Sequence, residues 1–286
     1  MLIPFLAATL LTPTDNTSAA QACTHVRVNH SVRATTGVRR KVLIVSVGQS
    51  NNGLMNEPGD GPAAADFSDG RIRELSQGIV RQHYTIAPVG ETHVFQHPAQ
   101  DDSGGVCMRL AGAKALLRKY PAIEEVTLYC GAAPNTSLAV AADEWAADGQ
   151  LTRDTIGWCS RFMADHPDYR VVFWSSLGAT DAVLGMDVSV FQSQMALLAH
   201  TLRTSIPGAA NACWIQGDMP SDLVDVVNHV QPGNGTLFLQ AQNTVGNYIP
   251  NSVAVTVFDL TTYDSRHLTA NSLRTFGVRV GLATSL

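Results

Sequence analysis

Three residues stand out for the chemistry that their types and placing allow. The run Lys41-Val-Leu-Ile-Val-Ser-Val47 leads straight into Gly48-Gln49-Ser50-Asn51-Asn52-Gly53. A serine just past a buried strand, with glycine permitting a tight turn, projects its hydroxyl from the sheet edge, and its own N–H can face the same spot. Taken alone, the loop also fits a plain polar turn. It is not the G-x-S-x-G elbow, because Asn52 stands where the second glycine would be. Near the other end of the chain, Asp264-Ser265-Arg266-His267 follows an apolar run and precedes a helical pattern. A serine hydroxyl is a weak nucleophile at neutral pH. It needs an imidazole to take its proton, and the imidazole needs a carboxylate to fix its tautomer. Asp264 and His267 supply that pair, so the predicted catalytic set is Ser50, His267 and Asp264.

These residues need a scaffold that brings positions 50 and 267 together. Apolar, β-branched runs at 42–47, 126–130, 171–174, 212–216 and 253–258 read as strands. Several are apolar at nearly every position, as strands covered on both faces are. Helical periodicity occupies 106–119, 152–165, 188–205 and 268–282, and the first three stop at Pro121, Pro167 and Pro207. Residues 218–250 are less regular and contain a turn at 232–235. The alternation predicts an α/β fold: a three-layer α/β/α sandwich with a central, mainly parallel, flavodoxin-like sheet over 41–286. In such sheets ligands bind beyond the carboxyl ends of the strands, where residues 48–53 and 264–267 are predicted to lie.

With these blocks in place, the sequence resembles the SGNH (GDSL-type) hydrolases, in particular the sialate O-acetylesterase and acetylxylan esterase branch. Gly48-Gln49-Ser50-Asn51 resembles its first block and Asp264-x-x-His267 its last. Between them, Asn135-Thr136-Ser137-Leu138 and Gly178-Ala179-Thr180-Asp181-Ala182 resemble the two middle blocks, and residues 256–260 the strand before the last. The resemblance implies a serine O-acetylesterase acting on an acetylated glycan, with no cofactor and no metal. It places the oxyanion hole at Ser50, Asn135 and Thr180. Gln49, Asn51, Thr136, Ser137 and Asp181 are expected to contact substrate, and Trp145 to stack on a sugar. The middle blocks depart from the family: Asn135 replaces a glycine, Thr180 an asparagine, Ala179 a glutamate and Leu177 a glutamine. Loss of one oxyanion donor costs about 10²–10³ in rate, against roughly 10⁶ for loss of nucleophile or base. The departures therefore imply a re-tuned esterase; a non-catalytic glycan-binding or structural module of a larger extracellular or viral assembly is the competing reading.

Composition narrows the classes. Nineteen Lys and Arg against 24 Asp and Glu give a net charge of −5 over 286 residues, with only 15% of residues charged. There is no basic excess for nucleic acid, and no apolar run reaches the ~18 residues of a membrane span. A weakly charged surface suits a neutral, hydroxyl-rich partner. The five cysteines, Cys23, Cys107, Cys130, Cys159 and Cys213, form no C-x-x-C pair and read mainly as small buried hydrophobes. His83, His93 and His97 with Asp101 and Asp102 lack metal-ligand spacing and read as a surface or substrate-facing loop. Glu144, Asp143 and Asp148 read as a solvated helix face. Residues 1–40 form a segment of their own. An apolar stretch at 2–11 and Ala20-Gln21-Ala22 resemble a secretory signal, but no Lys or Arg precedes Arg27; the alternative is an arm that attaches the domain to a larger assembly. Either reading places the protein outside the cell, secreted or in a virion.

Overall fold

The computed structural model describes residues 40–52, 69–75, 92–94, 107–133, 135–138 and 144–286. Apart from Arg40, the segment 1–40 lies outside the described residues, as do His83, His97, Asp101, Asp102 and Asp143; His93 is described in its backbone only.

Seven strands form one sheet: β1 (Lys41–Gly48), β2 (Ile72–Leu75), β3 (Thr92–Val94), β4 (Glu125–Cys130), β5 (Tyr169–Ser176), β6 (Cys213–Gly217) and β7 (Ser252–Val255). Their order is β3-β2-β4-β1-β5-β6-β7. All pair in parallel except β3, which lies antiparallel to β2 at the edge. The helices are α1 (Met108–Lys119), α2 (Gln150–Asp165), α3 (Ala179–Val183), α4 (Val188–Ser205), α5 (Ser221–Val230), α6 (Asn234–Asn243) and α7 (Ala270–Ala283). Taken as first to fifth, β1, β4, β5, β6 and β7 stand in the doubly wound order 2-1-3-4-5, with β2 added beyond β4. The order reverses at β1, so the crevice of this topology opens between β1 and β5.

Strand geometry explains the three layers. Successive side chains of β1 alternate faces. Leu43, Val45 and Val47 join Phe173 and Trp214 in a core beneath α2, α4, α5 and α6. Val42 and Ile44 join Val172, Trp174 and Ile215 beneath α1 and α7. Because both faces are covered, β1 is apolar almost throughout, which is why its sequence shows no polar alternation.

The expected strands and helices at 42–47, 126–130, 171–174, 212–216, 106–119, 152–165, 188–205 and 268–282 are found within one or two residues of their predicted bounds. Prolines end α1, α2 and α4 as read. The strand at 253–258 is shorter: β7 stops at Val255, and the Val257 N–H is taken by the Asp218 carboxylate at 2.5 Å rather than by a neighbouring strand. The stretch 218–250 is more regular than its sequence indicates, forming α5 and α6 on either side of the Gly233 turn. Residues 144–149 form no helix; α2 begins at Gln150, and Glu144 accepts a hydrogen bond from the Ser137 N–H instead of standing on a solvated helix face. Cys107, Cys130, Cys159 and Cys213 are buried.

The layer formed by α1 and α7 depends on a close helix crossing. A Cβ at Gly277 would lie 2.1 Å from the Met108 carbonyl, and one at Gly281 2.2 Å from that of Gly112. The exposed Gly157 of α2 has nothing within 4 Å of its Cβ position. Glycine is disfavoured in a helix by up to about 1 kcal/mol relative to alanine, whereas forcing atoms into a packed contact costs about 1–3 kcal/mol. We expect Gly157→Ala to raise stability by about 0.5–1 kcal/mol and Gly277→Ala to lower it by about 1–2 kcal/mol. Denaturant titration of the two variants checks the opposite signs.

Candidate active site

The turn after β1 is where the site is assembled. Ser50–Asn52 form one turn of 3-10 helix, closed by the Asn52 N–H donating to the Gln49 carbonyl at 3.0 Å. Three amide side chains in this turn bind three other parts of the chain. Gln49 Nε2 donates to the Thr136 carbonyl at 2.5 Å, reaching the loop after β4. Asn52 is fully buried, and its Nδ2 donates to the Val47 and Trp174 carbonyls at 2.9 Å each, fixing the turn on β1 and β5. Asn51 uses both ends of its amide: Nδ2 donates to the Arg266 carbonyl at 3.1 Å, and Oδ1 accepts the Leu268 N–H at 3.0 Å. The residues on either side of His267 are thereby tied to the residue after Ser50.

The loop that carries His267 is itself closed. Thr262 and Leu268 form an antiparallel bridge, and the Tyr263 N–H donates to the His267 carbonyl at 3.0 Å. Ser265 sits at a φ of +66°, an uncommon conformation for a residue with a side chain. Asp264 Oδ1 accepts the backbone N–H groups of Arg266 and His267 at 2.9 and 2.7 Å, and Oδ2 meets His267 Nδ1 at 2.5 Å. With the Nδ1 proton directed at the carboxylate, Nε2 is the free basic nitrogen of the ring. Partial burial by itself would raise the Asp264 carboxyl. The His267 side chain and the two backbone N–H groups more than offset this and hold it below 3.8.

Ser50, Asn51, Gln49, Asn135, Thr180 and His267 all line one cavity of about 150 Å³ at the carboxyl end of β1 and β5. Asn135 has a φ of +58°, a left-handed conformation that asparagine tolerates better than most residues. Thr180 stands in the first turn of α3, reached through Gly178 at φ +115°.

Other predicted contacts lie elsewhere. Trp145 is fully buried, with Nε1 donating to the Gly48 carbonyl at 3.0 Å. It offers no face to a sugar and supports the end of β1. Asp181 is also fully buried. Burial raises its carboxyl above the ordinary range, partly countered by the Leu138 N–H at 2.8 Å and the Ser137 hydroxyl. It joins the loop after β4 to α3, the segments that carry Asn135 and Thr180, and does not line the cavity. Thr136 and Ser137 are buried in the same network: the Thr136 hydroxyl donates to the Ala133 carbonyl at 2.9 Å, and the Ser137 N–H to Glu144. These four bond within the protein and support its loops rather than lining the cavity.

Leu177 and Ala179, read from the sequence only as departures in a middle block, also line the cavity, and the lining is completed by residues that sequence reading did not single out: Ser176, Val183, Leu184, Asp218, Met219, Pro220, Leu223, Gln242 and Arg266. Position was the available signal for Asp218, Met219 and Pro220, since they follow β6 at its carboxyl end. Gln242 lies on α6, where no spacing distinguished it. No group of three His, Cys, Asp or Glu suited to a metal ion occurs among the described residues, and no described helix is long and apolar enough to cross a membrane.

Two measurements check this geometry. Asn51→Ala removes the bonds to Arg266 and Leu268; we expect the Leu268 amide to exchange at least about tenfold faster and stability to fall by about 1–3 kcal/mol. Since the folded-state carboxyl of Asp264 lies below its unfolded value, its contribution is present above the ordinary carboxylate range and is lost as pH falls through the depressed value. An NMR titration of the Asp264 carboxyl should accordingly give a midpoint below 3.8.

No family model matches the chain, and no curated protein matches its sequence. Solved structures do match. A protein of Arabidopsis thaliana superposes with a TM-score of 0.61 at 16% identity, covering 84% of this chain and 96% of its own. NanS gives 0.62 at 15% identity, covering 87% and 98%. A carbohydrate acetylesterase from Xanthomonas citri gives 0.57 at 16% identity over 85% of this chain, which spans 55% of that protein's length. At such identities the likeness is one of fold, and the fold they share with this chain is a three-layer α/β/α domain.

Proposed function

We propose that this protein is a serine carboxylic ester hydrolase that removes acetyl groups from an acetylated carbohydrate. The observation that carries the reading is the tethering of the Asp264–His267 pair, through Asn51, to the turn that bears Ser50, with Ser50 and His267 lining one cavity. The Ser50 hydroxyl attacks the ester carbonyl while His267 Nε2 takes its proton. Asp264 holds the imidazole in the required tautomer and stabilises the imidazolium. The N–H groups of Ser50 and Asn135, with the Thr180 hydroxyl, bind the oxyanion. Collapse of the tetrahedral intermediate breaks the bond to the leaving oxygen, which receives the proton from His267 and departs as the sugar hydroxyl. Water, deprotonated by His267, then attacks the acyl-serine, and acetate leaves as Ser50 recovers its proton.

The left-handed φ of Asn135 supports this reading, because it gives the family's glycine position a backbone that an asparagine can hold. The carbohydrate half rests on the low charge content of the chain and on the Xanthomonas citri neighbour, a carbohydrate acetylesterase.

Acetate release from an acetylated polysaccharide and from p-nitrophenyl acetate tests it. Ser50→Ala should lower kcat by about 10⁴–10⁶, and Asp264→Asn by about 10⁴ through loss of the correct tautomer. A fluorophosphonate should label wild type at Ser50. Equal, near-background release by wild type and Ser50→Ala, without labelling, would leave the non-catalytic glycan-binding reading in its place.

A further inference from the structure

The turn between β5 and α3 is gripped by two residues that lie outside every block marked in the sequence. The carbonyl of the buried Leu177 accepts two hydrogen bonds, from Gln216 Nε2 of β6 at 3.1 Å and from Gln242 Nε2 of α6 at 2.7 Å. Gln216 Nε2 also donates to the Gly217 carbonyl at 2.8 Å. A carbonyl oxygen has two lone pairs, so the one at Leu177 is used fully, by two different elements. One residue earlier, the Ser176 carbonyl accepts the Gln49 N–H at 3.3 Å, from the turn that bears Ser50. Successive carbonyls of the β5–α3 turn are thus held by the Ser50 turn and by β6 together with α6.

The two amides are an unfavourable choice for packing alone. Both glutamines are buried, and neither Oε1 has a hydrogen-bond partner among the described residues. A buried acceptor without a donor is destabilising, and methionine would fill similar space with no polar atom to satisfy. What glutamine adds at both positions is an N–H group aimed at one carbonyl. The next residue, Gly178, has a φ of +115°, and a Cβ there would lie 2.9 Å from Gln242 Nε2. Glycine at 178 therefore serves both the backbone conformation and the close approach of the amide.

Thr180 follows three residues after Leu177. In the reaction proposed above its hydroxyl binds the oxyanion, where an asparagine amide would reach one bond further from the backbone. A short side chain cannot make good a misplaced turn by changing rotamer. Placement within about 0.5 Å must come from the backbone. From this arrangement we infer that Gln216 and Gln242 are positioning residues, which fix the Leu177 carbonyl and thereby set the Thr180 hydroxyl at the distance from Ser50 that the oxyanion requires. The inference rests on the esterase reading and adds to it two residues that act through Thr180 rather than on the ester.

The test is a coupling measurement with p-nitrophenyl acetate. Gln216→Met, Gln242→Met and the double variant are made in wild type and in Thr180→Val, with Ser50→Ala giving the background rate. Thr180→Val keeps the shape of the side chain without its hydroxyl and should lower kcat by about 10²–10³, still above that background. With Thr180 present, the methionine pair should lower kcat by about ten- to hundredfold and leave KM within about twofold. In Thr180→Val the same pair should cost less than about twofold more, because the group it positions is gone. Each single variant should show the same dependence on Thr180 at about three- to tenfold, which keeps the test valid if the double variant fails to fold. Equal fractional losses in both backgrounds, a methionine pair with unchanged kcat, or a Thr180→Val enzyme as active as wild type overturns the positioning role and leaves the esterase standing. Hydrolysis by wild type no faster than by Ser50→Ala overturns both.

Discussion

The turn at residues 49–52 is too short to hold its own shape, so it depends on side-chain amides bonded to distant backbone. Gln49 reaches the loop after β4, Asn52 secures the turn to β1 and β5, and Asn51 grips the chain on both sides of His267. An amide suits this work because one group both donates and accepts. Asn51 exploits both, satisfying one carbonyl and one N–H on a loop more than 200 residues away in sequence. Each such bond contributes only about 1 kcal/mol net, but a buried partner left unpaired costs about 1–3 kcal/mol. That asymmetry is what gives the turn a single geometry. Without the clamp, the serine and the histidine would sit on loops with no fixed separation.

Support extends a layer below the cavity. Trp145 and the Ala133 N–H both donate to the Gly48 carbonyl, so the strand end that launches Ser50 is held from two directions. Asp181 bridges the two loops that carry Asn135 and Thr180, and Glu144 takes the N–H of Ser137. Buried carboxylates are tolerated here because they accept backbone N–H groups that nothing else would satisfy. Polar residues beside the functional blocks thus work mainly for the protein. From these blocks the cavity is lined by Gln49, Ser50, Asn51, Asn135, Thr180 and His267, beside apolar residues of α3 and α5.

The same division shows which parts of the fold could be read from residues alone. β1, β4, β5 and β6 are uninterrupted apolar runs, and α1, α2 and α4 end at prolines, so local chemistry marked them. β2 is four residues with two charges, Arg73 and Glu74, and carried no such mark. α5 and α6 are separated by three residues, and the Pro-Gly pair between them drew the whole stretch toward a loop reading. β7 ended early because the Val257 N–H goes to a side chain on another strand's end, a pairing that no local pattern encodes.

Residue type and spacing determined the chemistry. A serine at a strand end and an aspartate three before a histidine are short-range features, and the Asp264–His267 contact closes within a single turn. Which polar neighbours would face a ligand was settled by tertiary structure. Trp145 and Asp181 are of types that bind sugars, but both are fully buried and bond to a strand end and a loop brought to them from elsewhere in the chain. The apolar part of the lining was equally hidden: nothing in the sequence marked Val183 or Leu223, which pack with the core under α4, α5 and α6. They meet the cavity only because the parallel sheet sets β5 beside β6 and carries both helix starts to the same edge as Ser50.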